Sequence, residues 1–327
     1  MGITGKVICV FTFLFVLFTI SNICAQSRTP VAEEWYLPTE DNAAELYVYE
    51  IGRGEPVVVV HGGFGAEHSY LLDAVTGLES KFRFIFYDQR GSLRSPSKPE
   101  SISIDKHIQD IETLRKSLGL EKMTIFAHSM GTYLAMLYLQ RYPEKVKNLV
   151  LTGALPAQSG RYLDQSLLPA LKNAGESFRR FAERPEKIAE LEKAGDKQPN
   201  RTAKQETYIW RINFAAGNIY HIERWRQLKG GRIFYSGEAG RAAGKTFSND
   251  YDFLPSLSTH PYPVTFINGD HDLTDFGNVF YKSFAAKIPK IELVVLKNAG
   301  HNAWIDTPKD FSKALNKALS KKSSRDK

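Results

Sequence analysis

Residues 125–131 read IFAHSMG, a short apolar run followed by a small residue, a serine and, two positions later, a glycine. This is a near match to the G-x-S-x-G pattern, in which the serine sits on a tight turn between a strand and a helix. Ala127 replaces the first glycine and adds only a methyl group. Because S-x-G is common by chance, other parts of the chain must decide whether Ser129 has a chemical role.

The sequence on both sides of this turn alternates between strand-like and helix-like patterns. Short apolar runs predict buried strands, and apolar residues three or four positions apart predict helices. The predicted strands cover residues 45–51, 56–60, 82–87, 123–126, 146–152, 264–268 and 291–296, and the predicted helices cover residues 67–80, 104–118, 130–141, 276–286 and 308–319. This order predicts an α/β fold with a mostly parallel sheet and helices on both faces.

The alternation stops near residue 155 and resumes near residue 262. The intervening residues 156–261 are helical in pattern, charged and rich in aromatic side chains, and we expect them to form a lid. In open parallel sheets, ligands bind at the carboxyl edge of the strands, so the lid is expected to cover that edge. The predicted core then comprises residues 26–155 and 262–320, and residues 321–327 form a basic tail.

The first 25 residues have the organisation of a secretory signal peptide. Lys6 precedes an apolar run over residues 7–20, and small and polar residues lead to Ala25, after which we expect cleavage. The run is shorter than the roughly 20 apolar residues of a membrane span. Lipid attachment at Cys24 is the alternative, although the bulky Ile23 before it is unfavourable. The mature protein is therefore expected to be periplasmic or secreted, without a membrane span.

Cysteine content and charge exclude several function classes. Cys9 and Cys24 are the only cysteines, so the mature chain has no disulfide, thiolate nucleophile or cysteine-bound metal. Residues 157–250 carry 17 Lys or Arg against 11 Asp or Glu. The basic residues are interleaved with acidic ones, which indicates a solvated helical surface rather than nucleic-acid binding. The histidines lack metal-ligand spacing and no redox motif occurs, so we expect neither a metal nor a cofactor.

A serine hydroxyl needs a base to take its proton, and the base needs a carboxylate to orient it. Two segments downstream of Ser129 can supply these groups. Each follows a predicted strand and therefore lies at the same sheet edge as the serine: NGDHD at 268–272 and NAGHN at 298–302. We predict His301 as the base and Asp272 as its partner, with Asp270 and Asp275 as alternatives.

Backbone donors are also required, to stabilise negative charge on a reacting oxygen. The loop after the strand at 56–60 reads HGGFG (61–65) and lets the backbone approach a ligand closely. We predict the N–H groups of Gly63 and Met130 as the oxyanion hole, with Phe64 as the next choice after Gly63. The loop lacks the Lys-Ser/Thr of a phosphate-binding loop. We expect His61 to brace this loop and His128 to point away from the serine.

Together these motifs resemble the α/β-hydrolase superfamily and, within it, the proline iminopeptidase-like branch of serine peptidase family S33. The resemblance spans roughly residues 56–305. It rests on HGGFG (61–65), DQRGS (88–92), Leu114-Arg115 with Leu118-Gly119, Ser129-x-Gly131, Tyr142-Pro143-Glu144, Gly269-x-x-Asp272 and Gly300-His301. By this resemblance, Asp88 and Arg90 are structural residues that fix loops near Ser129, with an exposed ion pair in a turn as the alternative.

The departures from that branch concern the substrate. Phe64 stands where the branch usually has proline, and AHSMG (127–131) replaces its usual GGSWG. The resemblance implies substrate-binding residues at Phe64, Trp210, Arg211 and Glu223. Arg211 stands where the branch has an amine-binding acid, so we expect a substrate that carries a carboxylate or another acceptor.

The sequence therefore favours an exported serine hydrolase that cleaves an ester or amide of a small molecule or short peptide. A carboxyl-ester hydrolase and a proline iminopeptidase-type aminopeptidase are both open within this class. A non-catalytic homologue that uses the pocket to bind a ligand is a further alternative. The sequence does not define an oligomeric state.

Overall fold

The computed structural model describes residues 32–229 and 235–321. The predicted signal peptide, the alternative lipid site at Cys24 and residues 322–327 of the predicted tail lie outside the described residues. Within the described ranges, no helix combines the length and the apolar character needed to cross a bilayer.

An eight-stranded sheet forms the centre of the molecule, with the strand order β1-β2-β4-β3-β5-β6-β7-β8. The strands are β1 (Ala32–Pro38), β2 (Glu45–Gly52), β3 (Glu55–Val60), β4 (Phe82–Tyr87), β5 (Met123–His128), β6 (Val146–Thr152), β7 (Val264–Gly269) and β8 (Ile291–Leu296). The β1–β2 and β2–β4 pairs are antiparallel and the other five pairs are parallel. This confirms the predicted mostly parallel sheet.

Strand β1 was not predicted from the sequence. It reads AEEWYLP and is largely exposed, as suits a strand at the edge of the sheet. Trp35 donates its indole N–H to Glu50 of β2 at 2.9 Å, which attaches the edge to its neighbour. The two acidic residues at its start hide the apolar alternation by which half-buried strands are recognised.

Helices cover both faces of the sheet. The described α-helices are α1 (Ile104–Ser117), α2 (Met130–Arg141), α3 (Leu168–Ala182), α4 (Pro185–Ala194), α5 (Ala203–Asn218), α6 (Gly237–Thr246), α7 (Leu254–Thr259), α8 (Val279–Lys287), α9 (Ala303–Asp306) and α10 (Pro308–Leu319). Val58 and Val60 of β3 belong to the apolar cluster that includes α1 and α2, whereas Val57 and Val59 belong to a second cluster that includes α10 and the 3-10 helix at His68–Val75. This alternation is the period of two expected of a strand covered on both sides.

Two predicted helices differ in extent or type. The helix predicted at 67–80 is a 3-10 helix over His68–Val75, which Glu67 begins by accepting a hydrogen bond from Ser69 N at 2.8 Å. The helix predicted at 276–286 begins only at Val279, because Gly277 and Asn278 have positive φ angles of 78° and 55°. Neither residue can continue an α-helix in that conformation.

A buried ion pair fixes the loop after β4. Arg90 is 1% exposed and donates from Nε and Nη2 to the two carboxylate oxygens of Asp110, at 2.7 and 2.6 Å. It also donates to Asp41 at 3.1 Å and to the carbonyl of Ser101 at 2.8 Å. Arg90 therefore connects the turn between β1 and β2, the loop before α1 and α1 itself. These contacts agree with the predicted structural role.

Helices α3–α7 lie between β6 and β7, within the segment predicted as a lid. Backbone contacts join this segment to two loops at the carboxyl edge of the sheet. Ser236 donates its N–H to Gly65 O at 2.7 Å, and Asn302 donates its N–H to Asn218 O at 2.9 Å. The boundaries at 156 and 261, and the movement that the word lid implies, stay predictions.

Candidate active site

Ser129 lies on a sharp turn between β5 and α2. Its φ and ψ angles are 54° and −128°, a combination that strains any residue other than glycine. The turn is held by hydrogen bonds from Thr132 N and Thr132 Oγ1 to Ser129 O, at 2.8 and 2.6 Å, and from Ser129 N to Thr152 O at 3.1 Å. The surrounding structure thus enforces a conformation that presents the hydroxyl at the sheet edge.

Small residues around the turn are required by close packing. A Cβ on Gly131 would lie 2.4 Å from Val60 O, and a Cβ on Gly62 would lie 2.5 Å from Ser129 Cβ. Both distances are below any normal contact, so the strand and helix backbones meet here without space for side chains. Ala127 is fully buried, and its methyl group is accommodated.

His301 and Asp272 form a buried hydrogen-bonded pair. His301 Nδ1 lies 2.9 Å from Asp272 Oδ1, and the two side chains are 5% and 1% exposed. A carboxylate only accepts, so Nδ1 carries the proton and Nε2 is left as the acceptor. His301 and Ser129 line the same cavity. Gly153, with φ of 55°, makes room for the histidine, because a Cβ there would lie 2.8 Å from the ring.

The structure separates Asp272 from the two alternative acids. Asp270 accepts from His271 Nδ1 at 2.7 Å and from Ala299 N at 3.3 Å. Asp275 accepts from the backbone of α8, and burial raises its pKa to about 6. Of the three, Asp272 contacts His301.

The loop after β3 approaches Ser129 from the other side. Gly63 has a φ of 66° and lines the cavity, and Met130 is the first residue of α2. The N–H groups of a first helical turn have no acceptor within the helix. Gly62 N–H is committed to Tyr70 Oη at 2.7 Å, so it is not free for a ligand.

His61 braces this loop from within the core. Its Nδ1 lies 2.9 Å from Gly62 O and its Nε2 accepts from Gln89 N at 3.0 Å. Burial lowers the pKa of His61, so the ring is neutral and its two nitrogens serve as one donor and one acceptor. His61 therefore acts on the loop's backbone.

His128 does not point away from the site, and that prediction was wrong. Its ring centroid lies 4.5 Å from that of His301, and it lines the cavity. Nδ1 accepts from Tyr70 Oη at 2.8 Å, and Nε2 donates to His301 O at 3.2 Å. Burial, followed by the neighbouring His301 ring, holds the pKa of His128 well below its usual value, so it is a neutral linker.

The cavity beside Ser129 has a volume of about 430 Å³, a size suited to a small ligand. Trp210 and Arg211 of α5 line it together with Phe214 and with Leu273 of the loop after β7. The cavity thus lies between the sheet edge and the segment that joins β6 to β7.

Comparison with known proteins identifies the family. Residues 55–308 match the model described as the alpha/beta hydrolase fold. The chain belongs to the α/β-hydrolase family. A proline iminopeptidase of Clostridium botulinum is 28% identical over 285 residues, 83% of this chain and 91% of that protein. This confirms the predicted resemblance to the proline iminopeptidase-like branch, and the chain is a hydrolase of the α/β-hydrolase superfamily.

Two solved α/β-hydrolase structures show the same fold. A proline iminopeptidase-related protein of Thermus thermophilus has a TM-score of 0.62 at 24% identity, covering 89% of this chain and 98% of its own. An esterase of Thermogutta terrifontis has a TM-score of 0.61 at 22% identity, covering 88% and 98%. At these identities the likeness extends to the fold alone.

Two predicted substrate-binding residues of this α/β-hydrolase lie away from the cavity. Phe64 is 8% exposed and stacks on His107 with centroids 5.7 Å apart, because its side chain turns into the apolar core. Glu223 is 62% exposed and pairs with His221 at 3.3 Å. Neither side chain lines the described cavity, so the structure gives no support to the predicted substrate-binding roles of Phe64 and Glu223.

A second cluster of titratable groups lies beside the site. Single ligand atoms of Glu67, His68 and Asp88 lie within 4.8 Å of one another, an arrangement that could hold a metal ion. However, His68 Nδ1 is bonded to Asp88 at 2.7 Å, and the Arg94 guanidinium lies 3.1 Å from Glu67 and 3.6 Å from Asp88. The cluster is therefore an ion-pair network that already contains its own cation.

Tyr70 and Asp306 are the site residues that sequence reasoning missed. Tyr70 joins Gly62 to His128, as described above. Asp306 accepts hydrogen bonds from Gly300 N at 2.8 Å, Tyr220 N at 2.8 Å and His221 N at 2.9 Å, and so holds the His301 loop to the segment after α5. No motif marks either residue, because Asp306 binds backbone N–H groups and Tyr70 joins a backbone N–H to a side chain 58 positions away.

Proposed function

We propose that this α/β-hydrolase is an exported serine hydrolase that cleaves an ester or amide bond through an acyl-enzyme. Ser129 is the nucleophile, His301 the general base and then acid, and Asp272 the residue that orients His301. The N–H groups of Gly63 and Met130 are the oxyanion hole. The observation that carries the proposal is the His301–Asp272 hydrogen bond of 2.9 Å beside the strained Ser129, with both His301 and Ser129 on one cavity.

The geometry supports the following sequence of steps. His301 Nε2 takes the Ser129 proton as Oγ attacks the substrate carbonyl, and the imidazolium that forms is stabilised by Asp272. The oxyanion accepts from the two backbone N–H groups, which need no reorganisation at that moment. The imidazolium then protonates the leaving group, and water repeats the sequence on the acyl-enzyme to release the acid.

Labelling with a fluorophosphonate probe tests the nucleophile directly. We expect wild-type protein to be labelled at Ser129 and Ser129→Ala to be unlabelled, with turnover reduced by several orders of magnitude. Ser177→Ala, on α3 and outside the cavity, is the matched control and should behave as wild type. Wild-type-like turnover by Ser129→Ala would refute the proposal, and an unlabelled wild type would favour the non-catalytic, ligand-binding alternative.

An aminopeptidase of the proline iminopeptidase type is the second candidate. It is supported by the name of the Clostridium botulinum relative, which aligns with most of this chain. A panel of proline and alanine arylamides and of short acyl esters, with Ser129→Ala as control, separates the two candidates. Arylamide turnover that exceeds ester turnover would select the aminopeptidase.

Export and lid movement complete the proposal. The sequence of residues 1–25 supports secretion with cleavage after Ala25. N-terminal sequencing of protein from the periplasm or medium should begin at Gln26, whereas a lipid-modified Cys24 would give a blocked, membrane-bound product. Residues 156–261 supply part of the cavity wall, which supports their role as a lid.

A further inference from the structure

The cavity wall contains a cation that has no partner among the described residues. Arg211 of α5 lines the cavity together with Ser129 and His301. Its guanidinium makes no hydrogen bond or ion pair with any residue in the ranges 32–229 and 235–321, and residues 230–234 contain no acid in their sequence. A guanidinium stays charged at all physiological pH values and has five N–H donors. This group is therefore available to an anion that enters the cavity.

The other charged residues of the wall already have ion-pair partners. Lys229 lies 2.6 Å from Asp73. The Glu67 side chain is 1% exposed and accepts from Ser69 N at 2.8 Å and Ser69 Oγ at 2.6 Å. Arg94 lies 3.1 Å from the same carboxylate. Arg211 is thus the charged residue of the described cavity wall that has no ion-pair partner among the described residues.

The side chains around Arg211 strengthen its attraction for an anion. Trp210 and Phe214, one residue before and three residues after it, stack with centroids 5.4 Å apart and rings 8° from parallel. Apolar walls screen a charge less than water does, so an anion is bound more strongly there than at an open surface. An ammonium group would be repelled by Arg211, and the acid that remains, Glu67, already holds Arg94.

We infer that the substrate of this site carries a carboxylate remote from the bond that is cleaved. This inference rests on the proposed serine hydrolase function and names its substrate class. The carboxylate binds Arg211 while the scissile carbonyl lies at Ser129. Ser129 Oγ forms the acyl bond, the C–O bond to the leaving group breaks, and His301 returns its proton to that oxygen. Water then cleaves the acyl-enzyme, and the remote carboxylate is unchanged throughout.

Matched pairs of anionic and neutral esters test the inference. Mono-4-nitrophenyl adipate and its methyl ester differ in the acyl part, whereas 4-acetoxybenzoate and its methyl ester differ in the leaving group. The readout is the ratio of kcat/KM for the anionic ester to that for its neutral twin. It is measured for wild type, Arg211→Gln and Arg211→Lys. Arg179→Gln is the matched control, since Arg179 is exposed on α3 and outside the cavity.

We expect the ratio in at least one pair to fall by about tenfold or more in Arg211→Gln, because a hydrogen bond between charged groups is lost. Arg211→Lys should retain part of the ratio, and Arg179→Gln all of it. The wild-type ratio should also decrease as salt rises from 0.05 to 0.5 M, which screens the pair. The effect should appear mainly in KM.

The outcomes separate this inference from the proposed function. Ratios in both pairs that are equal in wild type and Arg211→Gln would overturn the inference, while turnover of the neutral esters would leave the hydrolase intact. A wild-type preference for proline arylamide over every anionic ester would overturn it as well. Absence of ester turnover together with absence of Ser129 labelling would remove the hydrolase and this inference with it.

Discussion

The effect of replacing Asp272 by asparagine depends on which of the two carboxylate oxygens accepts hydrogen bonds. Oδ1 accepts three hydrogen bonds, from His301 Nδ1 at 2.9 Å, Thr274 N at 2.9 Å and Thr274 Oγ1 at 2.7 Å. Oδ2 is buried and has no partner among the residues that the structure describes. Asparagine can therefore keep its oxygen where the three donors converge and place its NH₂ at the Oδ2 position.

The opposite amide orientation is disfavoured by Thr274 N. A backbone N–H cannot turn away, so a flipped amide would set donor against donor. The retained orientation leaves a buried NH₂ unpaired, at a cost of about 1–3 kcal/mol in the free energy of unfolding. In that orientation the His301 ring keeps its proton on Nδ1, and Nε2 can still accept a proton from Ser129.

What Asp272→Asn loses is the negative charge that stabilises the imidazolium. Two unit charges about 4 Å apart interact by about 4 kcal/mol at an effective dielectric constant of about 20. A loss of that size corresponds to about 10³-fold in rate. Because the imidazolium forms on the way to the transition state, we expect kcat and kcat/KM to fall together.

Two measurements check this prediction. Ester hydrolysis gives the rate loss, and ¹⁵N spectra of histidine-labelled protein, assigned with His301→Gln, give the tautomer of His301. Asp270→Asn, at the neighbouring acid that does not contact His301, should lose less than about tenfold. A His301 ring protonated at Nε2 in Asp272→Asn, or a rate loss below about tenfold, would refute the reasoning.

Three further changes are predicted from the structure. Gly153→Ala places a Cβ 2.8 Å from the His301 ring, at a residue with a φ of 55°. We expect it to lower the free energy of unfolding by at least about 1 kcal/mol and to remove most of the turnover. An unchanged kcat, measured well below the melting temperature, would contradict this prediction. Asp306→Ala leaves three backbone N–H groups without an acceptor. It should lower the free energy of unfolding, measured in urea, by about 3 kcal/mol or more and should also reduce kcat. Burial raises the pKa of Asp275 to about 6 from 3.8, so the folded state binds this proton more tightly. Stability should fall by roughly 3 kcal/mol between about pH 4 and pH 6. Asp275→Asn should remove that slope, and a difference between the two proteins that does not vary with pH would argue against it.

The parts of the molecule that the sequence predicts are those encoded by local patterns. Strands such as β4, β6 and β8 are largely apolar runs with the limits that the structure shows, and Ser129 and His301 follow strands in recognisable motifs. Parallel strands end at one edge, so local motifs at their carboxyl ends are brought together by the topology. The segments that contain Ser129, Asp272 and His301 are therefore predictable from local patterns.

The parts that the sequence does not predict depend on side-chain direction and distant contacts. Phe64 follows the glycine-rich loop, yet its ring packs on His107 of α1, a contact across 43 positions of sequence. The direction of the His128 ring is not predictable from local sequence, because its hydrogen bonds go to Tyr70 and to the backbone of His301. Backbone acceptors leave no residue-type signal in a sequence.

The chain of hydrogen bonds from Gly62 through Tyr70 and His128 to the carbonyl of His301 has a consequence for engineering. The loop after β3 and the loop that carries His301 are thus joined by hydrogen bonds, although 239 positions separate Gly62 from His301 in the sequence. A loop graft at residues 61–65 that ignores Tyr70 and His128 would displace His301 as well as the new loop. Transplanting this site to another scaffold therefore requires Gly62, Tyr70, His128 and His301 to be transferred together.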